Sequence, residues 1–133
     1  MVETVSSLNF GGSTMVVAVL GASNKAHRYS YKALKMLEQY DHRPLPIHPK
    51  LEKIDGWKVY PSLSAIEEEV DTLTLYVGEK RSSAMADEIL ELGAKRVIFN
   101  PGAENQELEE RLQETGAEVL RACTLVMLKT GRF

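Results

Sequence analysis

Residues 15–31 read MVVAVLGASNKAHRYSY. The stretch opens with an apolar, β-branched-rich run ending at Leu20, which predicts a strand buried on both faces, as in a parallel sheet. A loop of small residues follows at Gly21, and Ser30 is expected to cap a helix that reaches about Tyr40. A buried strand, a glycine turn and an amphipathic helix are typical of the first unit of a doubly wound α/β fold.

Further apolar runs along the chain predict four more strands of the same sheet, and amphipathic stretches lie between them. The strands are expected near 44–48, 72–77, 96–100 and 118–122. Helices are expected at 65–69, 82–92 and 106–114. This alternation predicts one Rossmann-like, doubly wound α/β domain: a five-stranded parallel sheet with helices on both faces. Numbered along the chain, the strands are expected in the spatial order 3-2-1-4-5.

Length and composition indicate a single globular domain. The chain has 133 residues, of which 44% are hydrophobic and 26% charged, enough for one core but not for two. Residues 1–14 are polar and glycine-rich and are predicted to form a leader, with the folded domain at 15–133. The leader lacks the cationic start and apolar core of a secretory signal.

Charge and cysteine content exclude several classes of partner. A net charge of −3 without a basic stripe argues against nucleic acid, whose phosphates require clustered cations. No apolar run approaches the roughly 20 residues of a membrane span. The lone Cys123 rules out an intramolecular disulfide and a multi-cysteine metal site, and favours the reducing cytoplasm. No metal site is predicted, because the histidines lack metal-ligand spacing.

The loop after the first predicted strand has the chemistry of a phosphate site. Small residues at Gly21 and Ala22 let a phosphate approach the backbone amides, and Ser23 adds a hydroxyl. Arg28 offers a two-pronged guanidinium, and the helix N-terminus at Ser30 adds the positive end of a dipole. A simpler interpretation is that these residues only form a tight turn. Taken together, they favour phosphate binding.

The end of the second predicted strand bears on which nucleotide is bound. An NAD site needs spaced glycines and an acid at this strand end. Here only Gly21 is present, and the strand ends in His48, Pro49 and Lys50. A cation in place of an acid suits an additional ribose phosphate, as in NADP or coenzyme A. The residues alone leave both ligands open.

Short motifs along the chain stand in a characteristic order. They are VLGAS at 19–23, RYSY at 28–31, IHP at 47–49, IDG at 54–56, VYPSL at 59–63, VD at 70–71, NPG at 100–102 and AC at 122–123. This ordered set resembles the bacterial CoA-binding-domain family, which is related to the coenzyme-binding domain of the succinyl-CoA synthetase α subunit. The resemblance implies a Rossmann-like domain that holds coenzyme A across the strand ends.

The resemblance also implies roles for particular residues. The CoA phosphates would meet the loop 21–28, the adenosine part would lie near 48–50, and 101–102 would border the pantetheine path. Many family members carry an arginine where this chain has Val77, and 80–81 offers the nearest cations. The predicted binding residues are Gly21, Ala22, Ser23, Arg28, Ser30, His48, Pro49, Lys50, Val77, Pro101 and Gly102.

No catalytic machinery is recognisable in the sequence. Ser23 has no partnered base, and Cys123 is read as a small buried hydrophobe, with a mixed disulfide to CoA as the alternative. The leading hypothesis is therefore non-catalytic binding of coenzyme A or an acyl-CoA, as a sensor, carrier or accessory subunit. A small NADP-dependent oxidoreductase is the alternative, and a ligand-free interaction protein is a third. A homodimer and an accessory-subunit partner both stay open.

Overall fold

The computed structural model describes residues 14–133, so the predicted leader, apart from Thr14, lies outside the described residues. The strands are β1 (Val16–Leu20), β2 (Arg43–Ile47), β3 (Lys53–Ile54), β4 (Trp57–Lys58), β5 (Thr72–Leu75), β6 (Arg96–Phe99) and β7 (Glu118–Arg121). Strands β3 and β4 pair as a small antiparallel ribbon. The other five form one parallel sheet, which confirms the predicted fold class.

Five helices accompany the strands of the described chain. They are α1 (Tyr29–Gln39), α2 (Glu79–Ala84), α3 (Ala86–Leu92), α4 (Gln106–Glu114) and α5 (Thr124–Lys129). Helices α1 and α5 pack on one face of the sheet through Leu34, Leu37 and Leu128. Helices α3 and α4 cover the other face, where Ile89 and Leu108 join its core cluster. None of the helices between residues 14 and 133 is long and apolar enough to cross a bilayer.

The predicted strand order is wrong. The sheet runs β2-β1-β5-β6-β7, which is 2-1-3-4-5 when only its own strands are counted. The reason lies in β2, whose Pro44 and Pro46 have no backbone N–H and therefore suit only an edge strand. Arg43 N donates to Met15 O, in the residue before β1, at 2.9 Å. Because successive residues of a strand direct their backbone groups to opposite sides, the nitrogens of both prolines lie on the side away from β1. Another strand on that side of β2 could not form a complete set of backbone hydrogen bonds with it.

Two predicted helices also differ from the structure. The stretch expected at 65–69 forms only a 3₁₀ turn at Leu63–Ala65. This segment must cross from β2 over β1 to β5. Because an extended residue covers about twice the distance of a helical one, the segment is mostly extended instead of helical. The helix expected at 82–92 is instead the pair α2 and α3, with a break at Met85 (φ −104°, ψ 12°).

The corrected order moves the crevice of the sheet. After β1 the chain turns to β2 on one side, and after β5 it turns to β6 on the other. The carboxyl ends of β1 and β5 therefore lie at the topological switch point, where ligands of open α/β sheets bind. The predicted order would have placed this point between β1 and β6.

Candidate functional site

Gly21 lets the first loop pass against the end of β5. Its φ is +87°, in the left-handed region that favours glycine. A Cβ at this position would lie 2.9 Å from Val77 Cγ1 and 3.2 Å from the carbonyl carbon and oxygen of Tyr76. The neighbouring strands are already joined here, because Tyr76 N donates to Leu20 O at 2.9 Å. Both backbone conformation and close packing therefore require glycine.

The rest of the loop presents Arg28 at the start of α1. Ser23 Oγ accepts a hydrogen bond from Lys25 N at 3.0 Å, and Arg28 N donates to Lys25 O at 3.0 Å. Arg28 occupies the N-cap position, but its side chain makes no capping hydrogen bond. Its guanidinium is exposed and enters no ion pair with residues 14–133.

Helix α1 itself is suited to an anion at its N-terminus. Its first turn contains no acidic side chain and no side-chain cap. The first backbone N–H groups of a helix carry partial positive charge and have no partner within the helix. Ser30, which was expected to be the cap, instead lies inside the first turn and is buried. These backbone N–H groups and Arg28 all lie where the loop after β1 joins α1.

His48 follows β2, and two backbone hydrogen bonds fix the orientation of its ring. Its Nδ1 accepts hydrogen bonds from Lys50 N and from Leu51 N, each at 3.0 Å. A ring nitrogen that accepts two backbone N–H groups carries no proton, so the neutral ring holds its proton on Nε2. His48 is thus held as a hydrogen-bond donor at the mouth of the strand ends.

These elements surround one cleft of about 730 Å³ at the carboxyl edge of the sheet. The predicted binding residues that line it are Gly21, Ala22, Ser23, Arg28, Ser30, His48, Pro49 and Pro101. The structure therefore brings together residues from the loops after β1, β2 and β6. Three predicted residues do not line the cleft: Lys50, Val77 and Gly102.

Each of these three has a different surrounding. Lys50 is exposed directly beside the cleft residue Pro49. The Val77 side chain is buried in the core beneath Gly21. Gly102 N donates to the Glu104 carboxylate at 3.0 and 3.2 Å. Backbone hydrogen bonds from Glu104 itself and from Gly102 lower the pKa of the Glu104 carboxyl, so this amide faces an anion of the protein itself.

Several cleft residues were not among the predicted binding residues. They are Leu20, Asn24, Lys25, Tyr29, Ile47, Leu51, Pro61, Ser62, Tyr76, Arg81, Met85 and Glu88. Pro61 and Ser62 reach the site because Tyr60 bridges to Ile47 and accepts a hydrogen bond from His48 N at 3.0 Å. This stretch belongs to the motif VYPSL at 59–63, for which the sequence alone predicted no contact with the ligand. Arg81 was anticipated only as a replacement for the arginine common in the family.

Two polar atoms in cleft-lining residues are buried without a hydrogen-bond partner among residues 14–133. They are the Tyr76 hydroxyl and Glu88 Oε1. Burial raises the pKa of Tyr76 to about 12, so this hydroxyl keeps its proton at neutral pH. The nearby hydroxyls of Thr74 and Thr124, which bond to each other at 2.8 Å, act in the opposite direction and lower the pKa of Tyr76. Two residues of the cleft lining thus each contain a buried polar atom without a partner in the described chain.

Similarity to known proteins extends over nearly all of the described chain. The family described as the CoA binding domain matches residues 15–129. The chain belongs to the CoA binding domain family. This confirms the family predicted from the ordered motifs, and the matched range includes every residue of the cleft.

Relatives of this family member include a short protein and a much longer ligase. YneT of Bacillus subtilis, itself uncharacterized, is 26% identical over 104 residues, covering 78% of this chain and 77% of YneT. The ADP-forming acetate–CoA ligase of Methanocaldococcus jannaschii is 30% identical over 102 residues, covering 74% of this chain but only 14% of the ligase. A crystal structure of an uncharacterized protein is 38% identical, with a TM-score of 0.82, and covers 92% of this chain and 100% of that one.

Proposed function

We propose that this chain binds coenzyme A or an acyl-CoA in the cleft at the strand ends and performs no chemical step on it alone. The observation that carries the proposal is the meeting of the loop 21–23, Arg28 and His48 in one cleft. That cleft lies within a chain of the CoA binding domain family. Related sequence also forms a part of an acetate–CoA ligase, which supports the choice of ligand.

The diphosphate of CoA would bind at the loop before α1. Small residues at 21–22 leave the backbone amides accessible, and the uncapped first turn of α1 supplies positive partial charge. Arg28 adds a full charge and a guanidinium able to donate two parallel hydrogen bonds to phosphate oxygens. Because no acid stands in the first turn of α1, nothing on that turn repels the anion.

The 3′-phosphate of CoA would lie near the end of β2. His48 presents Nε2–H as a donor, and Lys50 is an exposed cation two residues further on. An acid, which would accept the ribose hydroxyls of NAD, is not found at 48–50. The nucleotide end of the cleft therefore favours a phosphorylated ribose.

The hydrogen bonds of Ser23 and His48 within the chain support binding without catalysis. Ser23 Oγ accepts from Lys25 N, and His48 Nδ1 accepts from two backbone amides. The serine is therefore not hydrogen-bonded to the imidazole as a nucleophile would be to its base. We propose that the chain acts in the cytoplasm, as the single Cys123 suggests, and serves as a sensor, carrier or accessory subunit.

A ligand series tests this function. Calorimetric titration should give the tightest binding for CoA, with dephospho-CoA about two- to fivefold weaker because an exposed cation contributes modestly. The difference should shrink at high salt. Lys50→Ala should remove the preference, whereas Lys53→Ala, an exposed lysine three residues on, should keep it. Equal affinity for NAD and CoA would refute the proposal.

Arg28 is expected to dominate the phosphate contacts. Arg28→Ala should weaken CoA binding by about ten- to a hundredfold, since a hydrogen bond to a charged group contributes roughly 1.5–3 kcal/mol. Arg28→Lys should recover part of the loss, because it keeps the charge but not the two-pronged geometry. The measurement is calorimetric titration, with thermal melts to show that each variant folds.

Lys35→Ala is the matched control for Arg28, because Lys35 is exposed on α1 and lies outside the cleft. It removes the same charge and should leave CoA affinity unchanged. A folded Arg28→Ala variant with wild-type affinity would exclude Arg28 from the site. An equal loss in both variants would indicate a general charge effect instead of a contact.

A further inference from the structure

Glu88, a residue in the wall of the cleft, has one carboxylate oxygen, Oε1, without a hydrogen-bond partner in the described part of the chain. We propose that Glu88 accepts a hydrogen bond from a neutral N–H or O–H donor of the bound ligand, and so determines specificity on the α3 side of the site. The inference rests on the proposed binding of CoA and adds a contact to it. It identifies the chemistry that this part of the cleft selects.

The first support is the state of the Glu88 side chain. Oε1 is buried and has no hydrogen-bond partner among residues 14–133. Leaving a carboxylate oxygen buried without a hydrogen bond is costly, so a ligand donor that bonds to it would stabilise the complex. Glu88 lines the cleft, so a ligand bound there would lie beside its side chain.

Glu109, a buried glutamate of the same chain, provides the comparison. Glu109 is 8% exposed, yet its oxygens accept hydrogen bonds from Asn105 N at 2.8 Å and from Arg121 Nε at 3.0 and 3.1 Å. The fold therefore supplies partners to a carboxylate that serves structure alone. Among residues 14–133, Glu88 Oε1 receives no such hydrogen bond. Of these two glutamates, only Glu88 lines the cleft.

The break between α2 and α3 explains how Glu88 reaches the cleft. Met85 ends α2, and its N–H bonds to the carbonyls of Arg81 and Ser82. Met85 and Glu88 are three residues apart, so they share one face of α3, and both line the cleft. Ile89, the next residue, is 1% exposed and packs into the core. Core packing thus fixes the rotation of α3 that turns Glu88 toward the ligand.

The chemistry of an anionic acceptor restricts what can bind there. Phosphate oxygens and carboxylates would be repelled, so this part of the cleft is not a phosphate subsite. Coenzyme A carries neutral donors at two places, the exocyclic amine of its base and the hydroxyl and amide groups of its pantetheine arm. Either supplies the hydrogen bond that Oε1 lacks.

Glu88→Gln tests the contact while keeping the shape of the side chain. We expect CoA binding to weaken about five- to tenfold, because an ionised acceptor is replaced by a neutral one. Glu88→Met removes the acceptor and should weaken binding about ten- to a hundredfold. The melting temperature without ligand should stay the same or rise in both variants, because the described fold gives Oε1 no hydrogen-bond partner that the substitutions could remove. A residue that served folding alone would lower it.

Glu91→Gln is the control, since Glu91 is an exposed glutamate on the same helix and outside the cleft. It should change neither CoA affinity nor melting temperature. Two fragments locate the donor: adenosine 3′,5′-bisphosphate carries the base without the arm, and 4′-phosphopantetheine carries the arm without the base. If Glu88→Gln weakens the binding of adenosine 3′,5′-bisphosphate, the donor is the amine of the base. If it weakens the binding of 4′-phosphopantetheine, the donor is on the pantetheine arm.

The outcomes separate this inference from the function on which it rests. If wild-type protein binds CoA and both Glu88 variants bind it equally well, the contact is overturned and the function stands. The same loss in Glu91→Gln as in Glu88→Gln also overturns the contact, as a general charge effect. If the wild type does not bind CoA, the proposed function fails, and the inference with it.

Discussion

Gly21→Ala should lower the free energy of unfolding by about 2–4 kcal/mol. Part of the loss is the cost of holding an alanine at φ +87°. The rest comes from its Cβ, which would stand 2.9 Å from Val77 Cγ1 and 3.2 Å from the Tyr76 carbonyl. A backbone group at a strand end cannot move aside cheaply. Urea denaturation of the variant and the wild type measures the difference, provided that the m-value is unchanged.

Gly116→Ala is the matched control for this prediction. Gly116 has φ +92°, but a Cβ there would meet no atom within 4 Å. It should therefore cost only the conformational part, about 1–2 kcal/mol. If the two variants lose the same stability, the close approach of the loop to β5 contributes nothing. A wild-type midpoint for Gly21→Ala would contradict the described turn. CoA binding should weaken with Gly21→Ala alone, because only that loop borders the cleft.

Asn100→Ala should lower the free energy of unfolding by about 2–4 kcal/mol. Asn100 is 2% exposed and follows β6, directly before Pro101 of the cleft. Its Nδ2 donates to Thr74 Oγ1 at 2.6 Å and to Leu75 O at 2.9 Å, and its Oδ1 accepts from Thr124 N at 2.9 Å. Truncation leaves all of these groups buried without that partner.

Two variants test whether the amide itself is required. Asn100→Asp keeps the shape but loses the donor to Leu75 O, so it should not restore stability. Asn24→Ala, at an exposed loop asparagine, should change stability by no more than about 0.5 kcal/mol. Denaturant midpoints at constant m-value decide between these expectations. A loss for Asn100→Ala as small as that for Asn24→Ala would show that the network does not hold β5, β6 and α5 together.

Parts of the site that depend on neighbouring residues were predictable. The turn at Gly21 follows from a buried strand that meets a helix, and α1 follows from its apolar periodicity. The position of His48 after β2 was likewise readable from the run ending at Ile47. Such features arise from local geometry, so a single sequence displays them.

Other parts of the site were not predictable, because they depend on packing between distant segments. Lys50 and Gly102 do not line the cleft, because the turn that follows each strand places them beside its lining residues Pro49 and Pro101. Met85 and Glu88 enter the site only through the break between α2 and α3, whose rotation is set by Ile89 in the core. No local signal marks that break.

The sequence by itself determined the fold class, the loop that approaches the sheet and the family to which the chain belongs. Each follows from the period of apolar residues and from turn residues, which act over a few positions of the chain. Only the tertiary structure decided the strand order, because the edge position of Pro44 and Pro46 becomes visible once β1 has a partner on each side. It also decided that Glu88 lines the cleft while its Oε1 has no partner among residues 14–133, because such a gap depends on how distant segments pack.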